Sequence, residues 1–169
     1  MRSIPAIAAL SVCALAWGGS VAGVSWTDPT GWKNEGSRPM RAATYSIPAA
    51  AGDKDPAECA VFYFGEGQGG GVQANIDRWI GQFQEKPSTP PKPVTKTLGG
   101  MKVTTIEHSG TYMAGAMMGP KSPKSGYHLY GAIVEAPGGN VFFKLTGPAK
   151  TVAATKPAFD KMLASLKKQ

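Results

Sequence analysis

Between residues 86 and 93 the chain runs Lys86-Pro87-Ser88-Thr89-Pro90-Pro91-Lys92-Pro93. Proline fixes φ and lacks an N–H, so neither a helix interior nor a central strand can pass through this block. It must be extended connector, and a spacer reading suits its P-x-x-P spacing better than a docking motif. The constraint bears on what lies just before it. Gly65-x-Gly67-x-x-Gly70 sits between a strand-like run and a helical one and matches the G-x-G-x-x-G spacing of a dinucleotide loop. Such a loop needs a second parallel strand after its helix, ending in an acidic residue that holds the ribose. Here prolines occupy the place where that strand must begin. The glycine loop is therefore expected to be a turn from sheet to helix, offering at most free N–H groups to an anion. No nucleotide or other cofactor is expected.

The remaining segments divide by period. Trp26 to Pro39 is rich in turn residues, and its two tryptophans are expected to clamp it onto the body. Met40 to Ile47 alternates as a strand and stops at Pro48; Ala57 to Phe64 is a second, paired with it. Val72, Ile76, Trp79 or Ile80, and Phe83 recur on one helical face. After the prolines, Val94–Leu98 and Met101–His108 flank Gly99-Gly100, a two-residue hairpin turn, and Ser109-Gly110 with Thr111-Tyr112-Met113 can continue the second strand. Ala114 to Gly126 reads as a loop. Tyr127–Ala136 and Asn140–Leu145 are two more strands around Pro137-Gly138-Gly139. A closing helix has Phe159, Met162, Leu163 and Leu166 on its apolar face, with Thr151 or Thr155 as cap and Pro157 in its first turn. The order β-β-α-β-β-β-β-α favours hairpins. The expected class is α+β: a mainly antiparallel sheet of about six strands with helices packed on it.

The first 22 residues have the n-region, h-region and small-residue order of a secretory signal: Arg2, an apolar run from Ile4 to Trp17, then Ser20-Val21-Ala22. The stretch is too short and too broken by glycine to be a permanent membrane helix. The expectation is export, periplasmic or secreted, with a single domain over residues 23–169 and no transmembrane helix in the mature chain. Cys13 after Leu10-Ser11-Val12 offers a competing lipidation site, though Val12 stands where a small residue is needed. If Cys13 leaves with the signal, Cys59 is the one cysteine left, in a strand-like run that reads as buried hydrophobe rather than nucleophile. A composition of 42% hydrophobic and 17% charged residues is that of a folded domain. The net charge of +7 comes from scattered lysines with no Arg-rich stripe, so nucleic acid is not an expected partner.

Trp26-x-x-Pro29-x-Gly31-Trp32, Met40-Arg41-x-Ala43-Thr44-Tyr45, and Gly69-Gly70 leading to Ala74-Asn75-Ile76-Asp77-Arg78-Trp79-x-Gly81-Gln82 together resemble a group of exported bacterial proteins of unknown function. The resemblance spans roughly the first half of the chain beyond residue 22. The closing pattern of Val141–Leu145, Gly147-Pro148 and a helix carrying Phe159 and Ser165-Leu166 resembles the PsbP-like α/β/α sandwich. PsbP-like domains are generally binding or assembly modules. The resemblance implies that fold and an exported location, and it transfers no catalytic residue.

Three constellations remain. Arg41, Asn75, Arg78, Trp79 and Gln82 form the candidate ligand-binding set, because the last four share one helical stripe at i, i+3, i+4 and i+7. The competing reading places Trp79 in the core and has Asn75 and Arg78 satisfying backbone carbonyls of the Pro-rich connector. His108 and His128 end and begin neighbouring strands, with Met113, Met117 and Met118 between them, a soft donor set that suits copper. With a nearby carboxylate such as Glu107, the same histidines would serve a hydrolase or a metal-dependent enzyme. No G-x-S-x-G or paired metal-ligand spacing supports that alternative. The leading expectation is a non-enzymatic exported module that binds an unknown protein or small-molecule ligand.

Overall fold

The computed structural model describes residues 18–115 and 119–169. The apolar run before residue 18, Cys13, Met117 and Met118 lie outside these residues. Among the described residues ten strands and two helices follow one another: β1 (Gly18–Val21), β2 (Val24–Thr27), β3 (Lys33–Asn34), β4 (Arg41–Ile47), β5 (Ala57–Phe62), α1 (Val72–Ile80), β6 (Val94–Leu98), β7 (Met101–Ala114), β8 (Ser122–Ala136), β9 (Gly139–Pro148), α2 (Ala149–Ala164) and β10 (Lys167–Lys168). The main sheet has seven strands in the order β3-β4-β5-β9-β8-β7-β6, and every pairing is antiparallel. A small second sheet joins β1, β2 and β10. The expected element order from Met40 onward is present. The strand number is larger than expected, because short strands occur in the turn-rich N-terminal segment and at the extreme C-terminus.

Alternation along the central strands makes two cores. Val61, Phe143, Leu145 and Ala132 point to one face, where Phe159, Met162 and Leu163 of α2 cover them with Val24 and Trp26 of β2. Phe142, Leu129, Ile133 and Ile106 point to the other face, beneath Ile76 and Trp79 of α1 and Phe83 just beyond it. The two helices therefore lie on opposite faces of the sheet. The N-terminal tryptophans do clamp their segment: Trp26 Nε1 donates to Tyr45 Oη at 2.8 Å, and Trp32 Nε1 donates to Thr155 Oγ1 at 2.8 Å.

The tight turns follow from glycine. Gly99 and Gly100 both have positive φ, 56° and 75°, as the β6–β7 turn requires. β7 continues through Met113 and reaches Ala114, and β8 begins earlier than expected: Ser122, Pro123 and Lys124 pair with Ala114, Met113 and Tyr112, which narrows the expected loop. β5 and β6 flank α1 but have three strands between them, so no adjacent parallel pair, and no crevice of the dinucleotide type, forms beside the glycine loop.

The closing helix corrects one expectation. It begins at Ala149, and Pro157 lies in its interior, not its first turn. The cap comes from far away in sequence. Asp53 accepts hydrogen bonds from Thr151 N at 2.8 Å and Thr151 Oγ1 at 2.6 Å. A carboxylate at a helix N-terminus satisfies a free N–H and the dipole together. Thr155, the other expected cap, instead receives the Trp32 indole.

Ser20, Val21 and Ala22 lie in β1 and its turn to β2, so processing after Ala22 would remove β1 entirely. β1 pairs with β2, and Ala22 O accepts a bond from Gly138 N at 2.8 Å. A chain beginning at Gly18 should therefore resist urea better than one beginning at Gly23, by about 1–3 kcal/mol. Equal midpoints would show that β1 adds nothing to the fold. A second prediction concerns α1. Trp79 is 5% exposed, and a Cβ at Gly131 would fall 2.2 Å from its ring. Trp79→Ala should lose about 3–5 kcal/mol through the cavity it leaves, and Gly131→Ala about 1–3 kcal/mol through overpacking. An unchanged denaturation midpoint for Trp79→Ala would mean that the indole is not core.

Candidate functional site

The centre of the α1 side of the sheet holds a charge. Along β9, Phe142, Lys144 and Thr146 face α1, while Phe143 and Leu145 face α2. Lys144 pairs with Ala60 on one side and Gly131 on the other, two residues with almost no side chain. The space over Gly131 is filled by the Trp79 ring, while Ala60 belongs to a pocket of about 200 Å³ lined by Arg41, Pro56, Glu58, Ala60, Phe62, Tyr112, Tyr127, Lys144 and Thr146.

Each wall has an evident local cause. After α1 ends at Ile80, the chain runs beside the outer part of β7: Met113 N donates to Gln82 O and Gln84 N donates to Thr111 O, both at 2.8 Å. This places the Gln82 side chain so that its Oε1 accepts from Lys144 Nζ. Lys144 Nζ also donates to Tyr112 Oη at 3.0 Å. A bulge between Gly110 and Tyr112 turns the Tyr112 ring to stack on Tyr127 at 5.9 Å, with the planes 1° apart. Tyr127 Oη donates to Asp55 Oδ2 at 3.0 Å, and Lys124 joins the same carboxylate at 2.8 Å. At the rim, Arg41 lies over the Phe62 ring and pairs with Glu58 at 3.0 Å.

Burial controls ionisation here. Desolvation brings the Lys144 amine down to about 8, with Arg41 and Lys121 pushing the same way and Glu58 opposing them. Burial raises the Tyr112 phenol, and burial together with the Asp55 bond raises Tyr127 to about 12. Both phenols are thus neutral donors at neutral pH. Thr146 Oγ1 is buried with no partner among the described residues.

The five expected ligand residues are not brought together. Arg41 lines the pocket and Gln82 is bonded to its lysine. Asn75 is buried, its Nδ2 donating to Gly69 O at 2.8 Å and Gly71 O at 2.9 Å, and Arg78 Nη1 donates to Asn75 Oδ1 at 3.0 Å. Those two residues fasten the glycine loop to the helix. Trp79 is packed edge-on to Phe142 in the core. Lys144, Tyr112, Tyr127 and Thr146 were missed. The one available signal was a lone lysine inside the apolar run Val141–Leu145.

The two histidines do not share a site. His108 pairs with Leu129, and His128 is the residue next to Leu129, so they point to opposite faces of the sheet. His108 packs edge-on against Phe83 and His128 stacks on Tyr130. Burial lowers both pKa values. Glu107 lies on the face of His128 and accepts the Tyr130 hydroxyl. The arrangement required by a His108–His128 enzyme or copper site is therefore not assembled. No cluster of three or more His, Cys, Asp or Glu suited to a metal occurs among the described residues. Cys59 is fully buried, and that burial raises its thiol, as the hydrophobe reading requires.

A larger cleft, about 470 Å³, opens on the α2 face beside β6, with Val94, Leu98, Phe159 and Leu163 among its walls. Three of its charged groups are already engaged, Lys156 and Asp160 with each other and Glu107 with Tyr130. Neither this cleft nor the shallow one near Trp32 is lined by an unpartnered buried polar atom; the Lys144 pocket is.

The fold has solved counterparts. Cyanobacterial PsbP (CyanoP) from Synechocystis is similar over 96% of this chain and 99% of its own, with TM-score 0.56 and 13% identity. LpqN of Mycobacterium tuberculosis, described as involved in cell envelope biogenesis, is similar over 85% of this chain and 82% of its own, with TM-score 0.52 and 13% identity. No protein-family model and no curated protein sequence matches the chain. The fold is PsbP-like, and identities this low show the fold alone.

The Lys144 assignment makes a stability prediction. Between pH 8 and the ordinary lysine value of 10.5, the unfolded chain holds this proton and the folded chain does not. Stability from this residue is therefore constant below pH 8 and rises with pH across that window, by up to roughly 3 kcal/mol. Lys144→Met should lack the rise. The difference between wild-type and variant urea midpoints should move in favour of wild type from pH 8 to pH 10. Parallel pH profiles would show that Lys144 is solvated.

Proposed function

We propose that this chain is an exported, non-enzymatic binding module of PsbP-like architecture, with the pocket around Lys144 as its ligand site. One observation carries the reading: an ammonium lies in the middle of a seven-stranded sheet, beside a cavity walled by two stacked tyrosines. Burying a charge destabilises a fold, and a hydrophobic residue of similar size would pack there at less cost. A group that weakens the fold while lining an open cavity is a functional-site candidate on physical grounds.

Export rests on the secretory pattern of residues 1–22. It is supported by likeness to LpqN, whose own description places it in envelope biogenesis. Among the described residues no helix is long and apolar enough to cross a membrane. The PsbP-like architecture is supported by likeness to CyanoP over nearly the full length of both chains. The second reading, an enzyme built on His108 and His128, has no support in the geometry, since the sheet itself separates the two rings.

The test is a thermal-shift panel of small anionic, neutral and cationic metabolites on wild type and Lys144→Met. At least one ligand class should raise the melting temperature of wild type and leave the variant unmoved, as binding to the folded state requires. A panel in which no compound shifts wild type overturns the binding reading. Cell fractionation with N-terminal sequencing should recover the protein outside the cytoplasm, beginning near Gly23. Intact Met1 in the cytoplasm would overturn export.

A further inference from the structure

We infer that the Lys144 pocket takes a small monocarboxylate, held by the Lys144 ammonium and the Tyr112 and Thr146 hydroxyls. This rests on the binding reading above and names its ligand class.

The argument is an inventory of donors. An ammonium has three N–H groups and no acceptor. Gln82 Oε1 and Tyr112 Oη take two of them, which leaves a third with no acceptor among the described residues. Tyr112 Oη is itself an acceptor in that bond, so its proton remains available for another group. Thr146 Oγ1, two residues along β9 on the same face, is buried and unpartnered. Three donors thus line one small cavity. Each neighbouring carboxylate already has a cation of its own, Asp55 with Lys124 and Glu58 with Arg41. A buried donor without an acceptor loses its hydration, so an entering acceptor repairs the site.

Carboxylate is the acceptor that fits. Its two oxygens offer about four lone-pair sites, and an ammonium and hydroxyls give charge-assisted bonds to it. A cation would meet Lys144, Arg41 and Lys121 together. A polyol carries no charge to set against the ammonium. A phosphate dianion calls for two cations within the cavity, and of the two that line it Arg41 is tied to Glu58, which leaves Lys144. The volume of about 200 Å³ admits a short acid. Phe62, Ala60 and Pro56 supply an apolar wall for its tail.

Proton linkage sharpens the claim. The groups facing Lys144 are Arg41 from β4, Glu58 from β5, Gln82 after α1, Tyr112 from β7, Tyr127 from β8 and Lys121 just before β8. His108 lies on the same side, and its lowered pKa keeps it neutral above pH 7. Both tyrosines titrate far higher. Lys144 is then the group in this cavity that changes charge between pH 7 and 9. A bound carboxylate favours its charged form, so affinity should be flat below pH 8 and fall as the free site loses its proton above it.

The experiment is calorimetric titration of the full chain with propionate and benzoate, their amides propionamide and benzamide, inorganic phosphate, and methylammonium. Expected are saturable binding of at least one carboxylate, binding of its amide at least tenfold weaker, and a roughly five- to tenfold fall in affinity from pH 7.5 to 9. Tyr112→Phe should weaken binding several-fold and Lys144→Met should abolish it. Should Lys144→Met fail to fold, the wild-type pH profile and the acid–amide ratio still decide. An amide, phosphate or methylammonium that binds as well as the acids, or an affinity independent of pH, overturns the carboxylate assignment and leaves the module a binder of something else. If neither these probes nor the wider thermal-shift panel bind, both the assignment and the binding reading fall.

Discussion

The double-sided burial of β9 is the constraint on which the rest of the structure depends. It is the middle strand of seven, with β5 and β8 on either side. A strand there must present apolar residues to both faces, and β9 does so with Phe142 on one and Val141, Phe143 and Leu145 on the other. Lys144 is the exception. It is tolerated because Ala60 beside it leaves room, and because α1 is too short to cover it. The helix spans nine residues and ends at Ile80, with Gly81 as its cap, just before the polar pocket. Trp79 fixes that end by lying on Gly131, so the glycine seats the helix.

The supports of the pocket come from devices that look unrelated along the chain. A bulge beside Gly110 turns Tyr112 inward, while Glu85 secures the same stretch by accepting from Thr111 N and Thr111 Oγ1 at 2.8 and 2.6 Å. The segment leaving α1 adds backbone bonds to β7 and so delivers Gln82. Asp55, in the loop before β5, holds Tyr127 and Lys124 together across the outer β8. Four separate parts of the chain thus fix the geometry around one ammonium. Such supporting contacts are what keep a binding group in place in the absence of its ligand.

Much of the fold was legible in the sequence because its signals are local. Gly99-Gly100 and Pro137-Gly138 mark two-residue turns, the prolines before Val94 forbid a parallel crossover strand, and Trp79 with Ile76 marks a helix with one buried stripe. The site was far less legible because its signals are not local. Whether Lys144 is solvated or buried depends on where β9 falls in the strand order, and neighbouring residues do not encode that. Asn75 and Arg78 share a stripe with Trp79, yet Asn75 bonds glycine-loop carbonyls rather than the Pro-rich connector, and Arg78 bonds the Asn75 side chain. The histidines show how sharply register decides: moving one strand by a single residue would put His108 and His128 on one face. The α2 cap was misplaced for the same reason, since Asp53 lies 98 residues from Thr151.

The desolvation that weakens the fold at Lys144 is also what would make the pocket selective. A lysine at the surface meets an anion through water, where the attraction is about 1 kcal/mol; in a partly dehydrated cavity the same pair interacts several times more strongly. The gain is available only to a ligand that repairs the loss, which means an acceptor small enough to enter and charged enough to hold the proton on the amine. Stability and binding are therefore opposite sides of one penalty. A variant that removes the charge ends the pH-dependent cost and the attraction together. That coupling explains how a PsbP-like sheet, shared at 13% identity with proteins of different description, can host a site of its own. The strand order and the two cores define the architecture. A single lysine between an alanine and a glycine, with no hydrophobic cover above it, gives that architecture a specific chemistry.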